Sequence, residues 1–370
     1  MNNQEQTIFF ALLRNALFGS PLNSEDWKDD WSWKPIIEIV EAHVLQTLVV
    51  SPMLSLPKEI QPSAEILSTY QQLLGLNIVE HARLNADVVN IFQTISKNGY
   101  NPVLMKGQGN ATFYQSPYFR KCGDVDVYVG PKDFQNVCRL LETERGFKSV
   151  HADVKHMDFC YGEKTEVEIH QFAEIATLPQ KNNNYRRLIE DYFRHPEFVE
   201  ISGRNIPIPP LQFNVLYVFY HMLHHLKMRG VGYRQLCDVA CLLHSQYGKY
   251  DLDRMRQDIV ELNMMREWQL FGDVFVKYLG LPVEEFPFYK EYPQKKVKRL
   301  VQLILEDGNF AKTSGFEYKK QSKIMFKLHS FYVHNLRYYK LARISLPLSL
   351  YSYLYIFTRG VKAVFIPEKK

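Results

Sequence analysis

The chain has 370 residues, 46% of them hydrophobic and 23% charged, with a formal net charge of +5. That composition is ordinary for a globular protein of two or three domains. The basic excess is weaker than a dedicated nucleic-acid-binding domain carries, although it suits an anionic substrate.

Five cysteines, an odd count with no CxxC pair, argue against a disulfide framework and against a cysteine zinc site. A reducing cytoplasm is the location expected from this. The N-terminal stretch lacks the basic region and cleavage site of a signal peptide. No apolar run reaches the roughly 20 residues a membrane span needs. The nearest, Leu346 to Phe357, is short and contains Pro347; it reads as a packed helix or turn, with a peripheral membrane contact as the alternative.

In chain order, residues 1 to 98 read as helical. Leu84, Val88, Ile91, Phe92 and Ile95 repeat on one helical face, and Asn98-Gly99 suits the helix end. The pattern then changes. Pro102 to Met105 reads as a strand, Lys106 to Gly109 as a turn, Asn110 to Gln115 as a short helix and Val125 to Val129 as a second strand. Lys132 to Glu144 is helical, Gly146-Phe147 opens another strand, and Lys155 to Phe172 reads as a hairpin turning near Gly162-Glu163-Lys164. Two linkers are expected, a polar one over Gln180 to Tyr185 and a proline-rich one over Ile206 to Pro210. Helical periodicity returns from Leu211 to about Phe357. The reading is a helical region over 1–98, an α/β core over 99–205 and a second helical region over 206–370.

The informative run is Gly123-Asp124-Val125-Asp126-Val127-Tyr128-Val129. Alternation places the valines on one face of a strand and Asp124 with Asp126 on the other, their Cα atoms about 7 Å apart. Paired carboxylates can share one Mg²⁺ or hold two metals between them. The later run Thr165-Glu166-Val167-Glu168-Ile169-His170 alternates in the same way, so Glu168 completes a three-carboxylate cluster if the two strands are neighbours. An ordinary sheet with one wet face produces the same alternation. The upstream turn shifts the balance toward chemistry. Lys106-Gly107-Gln108-Gly109 follows a strand and precedes a helix, where glycines and free N–H groups can receive a phosphate.

The run Val103-Leu104-Met105-Lys106-Gly107, then Tyr114, Arg120 and the Asp124-Val125-Asp126 block, with Val167-Glu168-Ile169-His170 after it, resembles the uncharacterised nucleotidyltransferase family of bacteria. That family belongs to the DNA polymerase β-like superfamily. The helical flanks, Asp26-Trp27 and Ala42-His43-Val44 before the core and the segments from Tyr220 and Leu236 after it, resemble the family more weakly. The resemblance implies an α+β fold, a small mixed-sheet nucleotidyltransferase core flanked by N-terminal and C-terminal helical regions. It implies Asp124, Asp126 and Glu168 as catalytic metal ligands for Mg²⁺ or Mn²⁺, an NTP as substrate, and transfer of NMP to a hydroxyl on a small molecule, a protein or an RNA. The superfamily's usual Gly-Gly or Gly-Ser turn is replaced here by Gly107-Gln108. A non-catalytic nucleotide-binding regulator and a toxin–antitoxin nucleotidyltransferase are the alternatives.

Lys106 and Arg120 are the candidates for countering triphosphate charge, Gly107 and Gln108 for holding the phosphates in the turn, and His170 for orienting an acceptor. His221, His224 and His225 share a helix face; without a HExxH pattern, packing or a place in the cleft for His221 and His225 is expected rather than zinc. Asp238, four residues after Arg234, is expected in a surface or interhelix ion pair, and Cys237 and Cys241 are expected to pack in the core. The basic, aromatic stretch 319–343 reads as an amphipathic helix, with single-stranded nucleic acid as the less favoured partner.

Overall fold

The computed structural model describes residues 1–27, 30–121, 123–153, 155–174, 179–228, 230–308, 332, 335–350 and 353. Four helices come first: α1 (Asn3–Phe18), α2 (Trp33–Ala42), α3 (Gln46–Ser55) and α4 (Ala64–Lys97). α1 starts on a reciprocal cap, in which the Asn2 side chain accepts from the Glu5 N–H while the Glu5 carboxylate accepts from the Asn2 N–H. The 34-residue α4 starts at Ser63, whose hydroxyl accepts from the Ile66 N–H, and it ends before Asn98-Gly99 as its periodicity predicts.

The core follows with β1 (Val103–Met105), α5 (Gly107–Ala111), β2 (Val125–Tyr128), α6 (Gly130–Thr143), β3 (Phe147–Ala152), β4 (His156–Tyr161), β5 (Thr165–His170) and α7 (Pro179–Phe193). A two-stranded ribbon, β6 (Glu197–Ile201) and β7 (Arg204–Ile208), leads to α8 (Leu211–Met228), α9 (Tyr233–Ser245), α10 (Leu252–Glu261), α11 (Met265–Asp273) and α12 (Gln294–Asp307).

The five strands of the main sheet run in the order β1-β2-β5-β4-β3. β1 is antiparallel to β2, β2 parallel to β5, and the β3-β4-β5 stretch a meander. The fold is therefore α+β, with a small mixed sheet flanked by helices. Val125, Val127, Val167 and Ile169 pack beneath α4 and α6 in one apolar cluster with Leu84, Val88, Ile91 and Phe92. A larger cluster joins the N-terminal helices to α8–α12, with Phe9 and Phe10 edge-on to Tyr233. Arg14 of α1 fastens this contact by donating to the carbonyls of Lys277 and Tyr278.

Some boundaries differ from the sequence reading. Gln180 to Tyr185 is not a linker but lies within α7, and Tyr185 is fully buried. Ile206 to Pro210 is likewise no linker: Ile206 and Ile208 belong to β7 and are buried. The first short helix begins at Gly107, not at Asn110. Lys319, Lys320, Lys323 and Lys327 lie outside the described residues, as do Cys122 and part of the run from Leu346 to Phe357. Among the described residues, no helix is long and apolar enough to cross a membrane. Arg337 pairs with Asp307, Lys340 with Glu306, and Arg343 lies over the Tyr339 ring.

Candidate functional site

Asp124 stands at the entrance to β2, and Asp126 lies within it. The parallel pairing of β2 with β5 sets Asp126 directly beside Glu168. One carboxylate oxygen from each of Asp124, Asp126 and Glu168 lies within 4.8 Å of the others. The face they occupy is not the wet face of an ordinary sheet, because Asp126 is only 2% exposed. Three carboxylates in that space repel, and the surroundings answer the charge. Lys106 Nζ lies 2.8 Å from Asp126 Oδ1, and His170 Nε2 lies 3.0 Å from the same oxygen and 3.0 Å from Glu168 Oε2.

These contacts set the direction in which each group's pKa moves. Burial alone would raise the Asp126 pKa, but Lys106 and His170 outweigh it and hold the group far below the usual carboxylate range. The same two carboxylates raise the His170 pKa against the effect of its burial. Burial works against the Lys106 ammonium too, yet Asp126, Tyr217 and Asp124 keep its pKa well above the ordinary lysine value. Asp124 is shifted upward, first by the charge of Asp126 and then by burial. Glu168 is shifted downward, its hydrogen bond from His170 overcoming desolvation.

The sharp turn after β1 brings Lys106 to this place. Lys106 takes φ +53 and Gly107 φ +39, a region unfavourable to side chains, and a Cβ on Gly107 would meet the Asp124 carbonyl oxygen at 3.3 Å. Gln108 is buried and both of its amide atoms lack a hydrogen-bond partner.

The profile of a family described as uncharacterised nucleotidyltransferases matches residues 29–280, which spans the sheet, the acidic trio and α8 to α11. The chain belongs to this family. No relative was found among the curated proteins. Among solved structures, an antigenic nucleotidyltransferase-like protein from Paracoccidioides brasiliensis aligns with 54% of this chain and 93% of its own length. Its identity is 15% and its TM-score 0.36, a likeness too loose to add to the family assignment.

Arg120 is placed differently from its expected phosphate-binding role. Its guanidinium is buried and bidentate on Asp238, with Nε at 2.7 Å from Oδ1 and Nη2 at 2.8 Å from Oδ2, and the Tyr114 hydroxyl donates to the same carboxylate. It is a structural strut and not a phosphate grip. Asp238 therefore forms an ion pair, as expected, but a buried one with Arg120 rather than one at the surface. Arg234 instead donates to the Lys121 carbonyl. Cys237 and Cys241 are buried in the core, as read from the sequence.

The loop leading to Asp124 is captured one carbonyl at a time. Asn77 Nδ2 donates to Tyr118 O at 2.6 Å, Thr47 to Phe119 O at 2.8 Å, His81 to Arg120 O at 2.7 Å and Arg234 to Lys121 O at 2.8 Å. Helices α3, α4 and α9 thus hold the approach to the acidic trio.

On α8, His221 Nδ1 donates to Glu174 at 2.8 Å, and the Nε2 atoms of His221 and His225 lie 2.9 Å apart. Burial, then the charge of Lys106, lowers the His221 pKa to about 4, so the ring is neutral and its Nε2 accepts from His225. Glu174, buried and also 3.5 Å from Lys155 Nζ, was not visible in the sequence, because it follows β5 in an irregular stretch without periodicity. His156 was missed as well. Its only signal is its place opposite His170 in the hairpin register. A cavity of about 580 Å³ lies at the other end of β2, lined by Tyr128, Lys132, Arg194 and Phe198, and holds none of the acidic trio.

Proposed function

We propose that the protein is a divalent-metal-dependent nucleotidyltransferase that passes a nucleoside monophosphate from an NTP to an acceptor hydroxyl. The observation that carries this is the convergence of Asp124, Asp126 and Glu168 within 4.8 Å at one end of β2. Three hard oxygen donors suit Mg²⁺ or Mn²⁺, and the second oxygen of Asp126 remains for a cation because Lys106 and His170 both engage Oδ1. A cation bound there would neutralise triphosphate charge and polarise the α-phosphate.

The chain's own residues supply the rest. Lys106, delivered by the turn at Gly107, is the cation nearest the trio and is placed to pass from Asp126 to a phosphate oxygen as a point charge. Glu168, the more open end of the trio, is placed to take the proton of the acceptor hydroxyl. The oxygen–phosphorus bond to the acceptor then forms as the bond from the α-phosphorus to the bridging oxygen breaks, and pyrophosphate leaves.

The test is incubation of the purified chain with each α-labelled NTP, Mg²⁺ or Mn²⁺ and a cell extract as the acceptor source. Transfer of label with pyrophosphate release, abolished by EDTA and by Asp124→Asn or Asp126→Asn, is expected. Nucleotide binding with no turnover under any metal would overturn the enzymatic reading and leave a binding protein.

A further inference from the structure

We infer that the hairpin beside the acidic trio carries a second metal position of different chemistry, built from His156, Glu168 and His170 and selective for a transition metal such as Mn²⁺ or Zn²⁺. The register produces it. β4 and β5 pair His156 with His170 and Asp158 with Glu168, and residues two apart on a strand share a face. Two imidazoles and two carboxylates therefore form a square on one side of the hairpin. Ligand atoms of His156, Glu168 and His170 lie within 4.8 Å of one another.

The hydrogen bonding inside this square is incomplete. His156 Nδ1, His170 Nδ1 and Asp158 Oδ1 are all buried without a hydrogen-bond partner, and His170 is 0% exposed. Orphaned buried polar atoms are costly and call for a ligand. His156 Nδ1 stands 3.8 Å from Asp153 Oδ1 and 3.9 Å from Glu168 Oε2. Those separations are too long for hydrogen bonds. They are within the span of a cation bonded at about 2.0–2.2 Å to each atom. Asp158 Oδ1 lies only 3.1 Å from His156 Nε2, although the two are not aligned for a hydrogen bond.

The donor set sets this position apart from its neighbour. Imidazole nitrogens with one carboxylate favour first-row transition metals, whereas an all-oxygen set admits Mg²⁺ and Ca²⁺. Glu168 belongs to both groups and would bridge them. The inference rests on the β4–β5 geometry, and it extends the proposed function without requiring turnover.

The experiment is titration of the EDTA-stripped, full-length chain with MnCl₂, ZnCl₂ and MgCl₂, following stoichiometry by calorimetry and by metal analysis after dialysis. Two Mn²⁺ per wild-type chain are expected. His156→Ala removes one of them and Asp124→Asn the other. The ion lost in His156→Ala is replaced by Zn²⁺ at least about tenfold more readily than by Mg²⁺. Pulsed electron paramagnetic resonance of the Mn²⁺-loaded wild type, which needs no variant to fold, should show directly bound imidazole nitrogen. One ion per wild-type chain, unchanged binding in His156→Ala, or no nitrogen coupling would each overturn the inference. Two ions without NMP transfer would uphold it while sinking the catalytic reading.

Discussion

Replacing Lys106 by Met probes the charge balance of the site most directly. The ammonium lies 2.8 Å from Asp126 Oδ1, with the lysine side chain 15% and the aspartate side chain 3% exposed. Coulomb's law at an effective dielectric of about 20 gives roughly 6 kcal/mol of attraction for unit charges at that separation. Burying both groups consumes much of this, and removing one partner of a buried pair costs about 3–5 kcal/mol. His170 still donates to the same oxygen at 3.0 Å, so a loss near the lower figure, about 3 kcal/mol, is expected in metal-free buffer. The stranded carboxylate should then bind a cation more eagerly. Urea denaturation of wild type and Lys106→Met, in EDTA and in millimolar Mn²⁺, measures both effects. The variant should regain a larger share of its stability from the metal than the wild type does. A variant as stable as wild type in EDTA, or an equal metal response in the two proteins, would refute the reasoning.

Four further outcomes are expected. His170 has a folded pKa above its ordinary value of 6.5, so its stabilisation is full below that pH and is lost as pH rises through the folded pKa. The stability gap between wild type and His170→Asn in metal-free urea titrations should therefore narrow on the alkaline side. Asp238→Ala removes the bidentate carboxylate partner of the buried Arg120 guanidinium and should cost about 3–5 kcal/mol by chemical denaturation, with Asp238→Asn milder. Gly107→Ala forces a methyl group toward the Asp124 carbonyl at a positive φ; a loss of about 1–2 kcal/mol is expected by thermal melting, together with weaker metal binding. Asn77→Ala deprives the Tyr118 and Arg120 carbonyls of a donor. It should cost about 1–3 kcal/mol and weaken Mn²⁺ affinity in calorimetry, although its hydrogen bonds reach none of the acidic trio.

Periodicity made much of the core legible. The valines of β2 and β5 alternate strictly, so the face of Asp124, Asp126 and Glu168 could be read before their meeting was seen. The hairpin turn at Gly162 also followed from flanking alternation. Arg120 and Asp238 could not be paired from sequence, because the bond joins residues 118 positions apart and spacing speaks only for neighbours. Asp238 sits four residues from Arg234, and that spacing suggested an ion pair without revealing Arg120 as the partner. The polar run Gln180 to Tyr185 looked like a linker because asparagines have weak helix propensity, but burial of Tyr185, Leu188 and Ile189 decides for a helix. Glu174 and His156 carry no periodic signal. Their importance arises only from what the folded chain sets beside them.

The captured carbonyls of Tyr118 to Lys121 have a thermodynamic corollary. The segment they belong to ends at Asp124, so whatever ligand draws that aspartate into a fixed place also favours the state in which α3, α4 and α9 are seated around it. Linkage makes the effect mutual: the free energy by which seated helices sharpen affinity at Asp124 equals the free energy by which ligation steadies the helices. By the same linkage, any displacement of α9 would weaken ligation at Asp124, so the helical bulk is thermodynamically part of the centre.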